Sequence, residues 1–558
     1  MALKTRPKGQ FQLTLDQVWL FAGVAFIALR ALLTPIPPYD FWWHMATGRL
    51  IVASGAIPSV DSFSYTQAGQ PFYNQSWLAQ LLMFGLYQLG GVPLIIFVQA
   101  LVLAGAYGLL LRLCVRRTGN ARLCAGFLLL ATLPASFDNW IVRPQTYALP
   151  LFVATLYILS RWRVGGAQAG RAQGAPLLLS RRAQGAPLLL SRRAQGAPLL
   201  LSRRAQGAPL LLLPLIGAVW VNLHGSFVLG GALIGITFVG EALRRWHEDR
   251  TEARAWATRP VGSPDDVLTR PERPTRPPLW QLFVAGALTG LAWLANPGGL
   301  QVLGYVRNLL GSSQVTRLVT EWAPPTIRDA GGMIFFLFLI VGIVILTYAR
   351  RPPDLVDMLL AGAFLWLALS AVRNNIWFTA VATPLLVVQL AAWRREGALN
   401  RPAFQGMTGI NAALAGVIAL MLLLALPWVK PALGLPPTLG NLLDPATPVA
   451  AVAQLRADPD RPTRLFHAMG YGSYLIWAAP EQLVWADPRI ELYPLEQWRD
   501  YQRLAAGSDA QAILERYAVD GLLLSNKEQA ELVAWAQARP DAWALRFADD
   551  ETSYFVRR

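Results

Sequence analysis

The chain has 558 residues, 54% hydrophobic and 15% charged, with a net charge of +16. A soluble protein carries about 25% charged residues, so the composition excludes an ordinary soluble enzyme and indicates a membrane protein of many spans. The two cysteines, Cys114 and Cys124, form no CxxC pair, which argues against a disulfide framework and a cysteine-based zinc site.

Apolar runs of about 17–22 residues match the thickness of a bilayer. They predict eleven spans, at 15–33, 92–113, 123–138, 146–162, 207–222, 226–243, 281–296, 332–349, 356–372, 376–393 and 409–428. Lys4, Arg6 and Lys8 precede the first run in the manner of a signal sequence. Its apolar core is long, so we read it as an uncleaved helix. A loop punctuated by Pro and Gly follows at 34–76 and contains Asp40-Phe-Trp-Trp-His44-Met-Ala-Thr-Gly-Arg49. Trp42 and Trp43 are expected at the lipid–water boundary, where aromatic rings are favoured. Asp40 is then held at the mouth of the membrane domain. The apolar run 77–89 has only 13 residues, which predicts a surface helix and not a span.

Charge placement tests this count, because Lys and Arg accumulate on the cytoplasmic side. With the N-terminus inside, the cytoplasmic segments hold 29 Lys and Arg and the outer loops six. If 77–89 also spanned, the split would become eight inside and 27 outside. The positive charge therefore reads as a cytoplasmic collar, not as a nucleic-acid surface. Arg171–Leu212 repeats Arg-Ala-Gln-Gly-Ala-Pro-Leu-Leu-Leu-Ser-Arg with an 11-residue period. Gly and Pro in each unit break helices, so this cytoplasmic insert reads as flexible. The Arg- and Pro-rich loop 244–279 reads as disordered.

After the last span, 436–449 reads as a linker and 450–558 as a small α/β domain outside the cytoplasm. Thr463–His467, Leu483–Ala486, Gly521–Leu524, Trp543–Ala548 and Thr552–Arg557 suit strands. Glu496–Leu504, Ala510–Tyr517 and Lys527–Gln537 suit helices. The expected fold is thus mainly α, a polytopic transmembrane bundle carrying a C-terminal soluble domain.

The predicted topology gathers the polar breaks on the outer face. These are Asp40, His44 and Asp61 in the first loop, Arg143-Pro-Gln145, Asn222-Leu-His224, Asn296-Pro-Gly-Gly299, Glu321-Trp322 and Arg373-Asn-Asn375. Arginines at helix ends suit an anion such as a lipid phosphate, since guanidinium offers a planar fork of donors. Each motif also has a structural reading: Asp61 as a turn cap, Asn222 and His224 as partners of freed carbonyls.

On these residues, and on Asn74-Gln-Ser-Trp-Leu78, Trp220-Val-Asn-Leu-His-Gly225, Gly470-Tyr-Gly-Ser-Tyr-Leu475 and Asp487-Pro-Arg489, the sequence resembles bacterial multi-spanning proteins related to GT-C glycosyltransferases. That superfamily includes protein O-mannosyltransferases and the aminoarabinose transferase of lipid A. The resemblance implies a bacterial inner-membrane enzyme. It would move a sugar from a polyprenyl-phosphate donor to a glycan, lipid or protein acceptor. It implies a catalytic acid in the first outer loop, a position that Asp40 and Asp61 both match. The adjacent Asp-Glu pair of the mannosyltransferases is missing here. Arg143 and Arg373 would bind the donor phosphate. His44, Asn222, His224 and Glu321 would orient the acceptor or hold a divalent cation, although no spacing demands a metal. A lipid-linked glycan flippase and a non-catalytic envelope assembly protein are the rival readings. A flippase needs ionisable groups near the bilayer midplane, and the expected spans carry them only near their ends.

Overall fold

The computed structural model describes residues 13–138, 140–173, 210–257, 276–311, 320–393 and 404–558. Each expected span falls on a helix. In order these are α1 (Leu15–Leu33), then, after α2 (Asp40–Ser54) in the first loop, α3 (Trp77–Thr118), α4 (Ala121–Asp138), α5 (Pro144–Gln173), α6 (Leu212–Leu223), α7 (Val228–Ala257) and α8 (Leu279–Ala292). Beyond α9 (Gln301–Gly311) come α10 (Ala330–Thr347), α11 (Leu355–Ser370), α12 (Asn375–Ala392) and α13 (Thr408–Leu424). Among the described residues, five stretches are long and apolar enough to cross a membrane: Leu15–Leu33, Trp77–Thr118, Gly225–Thr251, Ala330–Thr347 and Val372–Ala392. Shorter apolar helices pack between them. At one end of the bundle Arg163 reaches Glu241 at 2.8 Å and Asp357 at 3.0 Å, so charges on α5, α7 and α11 neutralise one another.

Residues 77–89 form a helical arm of their own, as expected. A break at Gly90 and Gly91, the latter at φ 63°, divides the arm from the rest of α3, and Ala79, Gln80, Met83 and Phe84 are buried. Two expectations change. The first part of the 244–279 loop is helical, because α7 runs on to Ala257. Ion pairs one turn apart, from Glu241 to Arg244 (2.6 Å) and from Arg244 to Glu248 (3.7 Å), support that extension. Leu483–Ala486 is no strand; Val484 forms a single parallel bridge to Ser64 of the first loop. Most of the tandem repeat, 174–209, lies outside the described residues, as does 258–275.

The C-terminal domain holds α14 (Val449–Ala457), β1 (Leu465–His467), α15 (Met469–Ala478), α16 (Leu495–Ala505), α17 (Ala510–Arg516), β2 (Gly521–Ser525), α18 (Ala530–Gln537), β3 (Trp543–Ala548) and β4 (Thr552–Arg557). The sheet order is β1-β2-β4-β3; β1 and β2 run parallel and the other pairs antiparallel.

This domain docks on the first loop, and α2 is the buried layer between them. Residues 41–48 are all buried. Trp42 meets Tyr474 edge-on at 5.1 Å, and Trp43 meets Phe72 at 6.4 Å. The two tryptophans thus sit in an interdomain core and not at the lipid boundary expected of them. The surface that buries this helix comes from α3 beside it and from α15, a distant part of the chain.

The dock is completed by a buried ion cluster. Arg489 donates to Asp61 at 2.6 Å and to both oxygens of Asp487, at 2.8 and 2.6 Å. Tyr493 donates to Asp487 at 2.7 Å, and Asp61 also accepts from Ser64 Oγ at 2.6 Å. Phe63 and Phe72 flank the guanidinium at 5.1 and 5.0 Å. Removing the shared cation strands two buried carboxylates, at about 3–5 kcal/mol. Arg489→Ala is therefore expected to detach the C-terminal domain before the bundle melts. Limited proteolysis at rising temperature checks this: fragments cut near 436–449 should appear well below the wild-type transition.

Candidate functional site at the interdomain seam

Asp40 opens α2 without a side-chain cap of that helix's own. The Trp43 N–H, at the end of the first turn, also donates to Ser473 Oγ of α15 at 2.9 Å. The docked domain therefore holds the start of the helix that carries Asp40. The other side of α2 is held close to α3 at Gly48, where a Cβ would lie 2.3 Å from the Gln80 carbonyl oxygen.

The arginines come from two turns tied together. Arg143 follows a loop whose Ile141 carbonyl accepts from Gln99 (3.1 Å) and Thr146 (2.9 Å). Its Nη1 lies 2.8 Å from Glu321 Oε2. Arg373 lies in the 3-10 turn Val372–Asn374, joined to the Glu321 turn by the Val372 N–H donating to the Ala323 carbonyl at 3.0 Å. Gln145 holds Arg373 twice: its amide N–H donates to the Arg373 carbonyl at 3.1 Å, and its Oε1 accepts from the guanidinium at 3.4 Å. The same guanidinium lies 4.6 Å over the Trp322 ring. Among the described residues no carboxylate comes within 4.0 Å of Arg373. Arg143 has an acidic partner already; Arg373 presents its charge to the cleft.

Electrostatics joins these groups to Asp40. Burial, and then the Glu321 carboxylate, push Asp40 up to about 6, against the pull of Arg143 and Arg373; Glu491 adds to the rise. Burial also raises Glu321, but Arg143 and Arg373 outweigh it and hold that carboxyl below its ordinary value. Glu491 is raised, first by burial. Tyr305 is raised by burial and then by Glu491. Asp40 and Tyr305 are only half-buried and Glu491 is exposed. We read this combination of solvent contact and desolvation as a cleft between α2, the two arginine turns, α9 and the segment after Arg489.

The two histidines are neutral donors. The Ser226 backbone N–H donates to His224 Nδ1 at 3.1 Å, so Nε2 carries the proton. Burial, then Arg373, Arg143 and His44, hold His224 well below its ordinary value. His44 Nδ1 accepts from Gln80 at 3.2 Å, while Gln80 is paired with Asn74 at 2.7 and 2.9 Å. Burial and then Arg489 lower His44 to about 3.

Two candidates lie apart from this cluster. Asp61 is the structural anion of the Arg489 dock, with both oxygens engaged. Asn222 accepts from Trp77 at 2.7 Å and from Asn296 at 3.1 Å, and Tyr73 donates to Asn296 at 2.7 Å. It clamps the first loop to the bundle. Among the described residues no group of three or more His, Cys, Asp or Glu is arranged to hold a metal ion. Glu491 and Tyr305 join the cluster without a signal of their own in the sequence, and Gln145 of the Arg143-Pro-Gln145 motif joins it as the partner of Arg373. Glu491 lies two positions beyond Asp487-Pro-Arg489, a motif the sequence did display.

No family model and no curated protein sequence matches the chain. Solved structures do. The chain is similar to the oligosaccharyltransferase AglB of Archaeoglobus fulgidus in complex with an inhibitory peptide and a dolichol-phosphate. The TM-score is 0.52 at 13% identity, over 93% of this chain and 71% of that one. The Archaeoglobus enzyme tethered to an acceptor peptide with the NVT sequon gives a TM-score of 0.51 at 12% identity, over 97% and 74%. ArnT of Cupriavidus metallidurans bound to undecaprenyl phosphate gives 0.47 at 14% identity, over 96% and 97%. The chain thus shares its overall fold with the Archaeoglobus oligosaccharyltransferase. In this fold the seam between bundle and C-terminal domain collects the cluster around Asp40.

The carboxyl of Asp40 is expected to titrate near pH 6. Glu491→Gln removes a like charge, so it should move that titration toward lower pH. Infrared difference spectra across pH 4–8, with Asp40→Asn to assign the protonated-carboxyl band, measure both. An Asp40 band titrating near pH 4 in the wild type would refute the coupling.

Proposed function

We propose that this chain is a membrane-embedded glycosyltransferase that moves a sugar from a polyprenyl-phosphate donor to an acceptor outside the cytoplasm. The observation that carries this reading is that Asp40, its carboxyl raised toward neutrality, feels the charge of Arg373, which among the described residues has no carboxylate within 4.0 Å. The AglB structure, which contains a dolichol-phosphate, supports a lipid phosphate as the leaving group.

Asp40 takes the proton of an acceptor hydroxyl, whose oxygen attacks the anomeric carbon as the bond to the phosphate oxygen breaks. A base with a pKa near the working pH combines a useful deprotonated fraction with proton affinity. The departing phosphate gains negative charge. Arg373, then Arg143 and the Nε2–H of His224, stabilise it; such fixed donors act strongly where water is scarce. One displacement inverts the anomeric centre. Asp61 is a poor rival base, because the bonds of its carboxylate already hold the fold together. We place the cleft and the C-terminal domain outside the cytoplasm of a bacterial inner membrane, on the distribution of Lys and Arg.

Asp40→Asn is expected to lower turnover of a polyprenyl-phosphate sugar by about 100-fold or more while the donor still binds. Arg373→Ala should instead raise the KM for the donor. Steady-state kinetics on purified protein separates the two, and wild-type turnover by Asp40→Asn would remove it as the base. Activity should rise with pH through about 6, since the deprotonated form is the base.

Orientation is tested separately. Alkaline phosphatase fused after Arg558 should be active; activity only of a cytoplasmic reporter there would invert the topology.

A further inference from the structure

A second cavity opens where the first loop meets α16, α17 and the start of β1, and it shares no residue with the Asp40 cluster. Its volume is about 270 Å³, and Tyr65, Gln67, Arg464, Glu496, Arg516 and Tyr517 contribute to its lining. We propose that it is a saccharide-binding site for one neutral hexose unit.

Size sets the first limit. Small-molecule sites begin at about 300 Å³, so there is room for a single sugar ring and not for an oligosaccharide or a lipid chain. The lining chemistry sets the second. Tyr65 and Tyr517 offer ring faces, which are negative and attract the positive C–H face of a pyranose. The polar groups are planar and held by a scaffold. Gln497 donates to the Trp485 carbonyl at 2.9 Å and to Thr66 Oγ1 at 3.0 Å, and accepts from Gln67 Nε2 at 3.1 Å. Gln67 Oε1 is left without a donor among the described residues.

Arg464 is anchored through its backbone N–H, which donates to Asp520 at 2.7 Å. Its guanidinium makes one long bond, to the Tyr517 carbonyl at 3.4 Å, and lies 6.0 Å from the Tyr65 ring. Glu496 is 82% exposed, and the nearest cation, Arg516, is 3.9 Å away. These forks of donors and acceptors match pairs of neighbouring hydroxyls. Charge decides between neutral and anionic sugars. Arg516 is held by Asp500 at 2.8 Å and lies 3.9 Å from Glu496, and Asp520 stands beside Arg464, so no excess positive charge selects an anion. The pre-arranged amides lower the ordering cost of binding.

The role rests on the transferase reading: the cavity would hold a distal sugar unit of an acceptor whose hydroxyl reaches Asp40. Binding itself does not depend on that reading. Full-length protein in nanodiscs is mixed with the methyl glycosides of glucose, galactose and mannose, and with methyl glucuronide. Saturation-transfer NMR reads contact. At least one neutral glycoside should receive saturation, with affinity lowered at least 10-fold by Arg464→Ala and by Glu496→Ala. Both side chains are exposed, and the unfolding midpoint checks that each variant folds. Asp40→Asn should bind as wild type does. No transfer to any neutral glycoside, or equal binding by both cavity variants, overturns the site. Preference for the glucuronide overturns its neutral character. Absence of any sugar transfer by the wild-type protein, with glycoside binding intact, would sink the transferase reading and leave the site standing.

Discussion

Arg489 and the two carboxylates it bridges, Asp61 and Asp487, are the constraint on which the seam depends. The three charges are buried, so each needs the others. Asp61 belongs to the first loop, whereas Asp487 and Arg489 belong to the C-terminal domain. An ion cluster of this kind adds little net stability over an apolar substitute, but it tolerates no loss of a partner. Its effect is registration: the domain settles where the guanidinium lies between Phe63 and Phe72 and over Asp61. In that position Ser473 meets the Trp43 N–H, and Trp42 meets Tyr474. The orientation of α2, and with it the position of Asp40, follows from that fit.

The cleft gains its chemistry from an unequal sharing of charge. Glu321 neutralises Arg143, and Gln145, a neutral residue, holds Arg373. One cation is spent in structure and the other is left to face the cleft. Asp40 feels both cations and two carboxylates at once. Burial and the carboxylates raise it, the arginines restrain it, and it settles near neutrality. Neither term alone would produce that value: burial by itself would neutralise the carboxyl, and the arginines by themselves would keep it strongly acidic.

The polar residues of the outer face divide into two groups by what their atoms already do. Asn222, Asn296, Tyr73 and Trp77 satisfy one another and lock the first loop to the bundle. His224 uses one nitrogen to cap a turn and keeps the other free beside the arginines. The same residue types served both purposes, so type and position along the chain did not separate them. The direction of each hydrogen bond did.

The sequence by itself determined the helical bundle, because a bilayer-length apolar run is a local property that needs no partner. It also marked Asp40, Arg143, Glu321 and Arg373, since charge between apolar runs is visible without a fold. Only the tertiary structure decided which acid stands in the cleft. Asp40 and Asp61 lie in one loop and have the same chemistry; they differ in that Arg489, more than 400 residues away, takes one and not the other. The same long-range packing buried Trp42 and Trp43, which a local reading assigns to the lipid boundary. It also brought Glu491 toward Asp40, a placement that the nearby Asp487-Pro-Arg489 motif does not specify by itself. Burial and charge pairing are sums over neighbours in space, and for these residues the neighbours come from the far end of the chain.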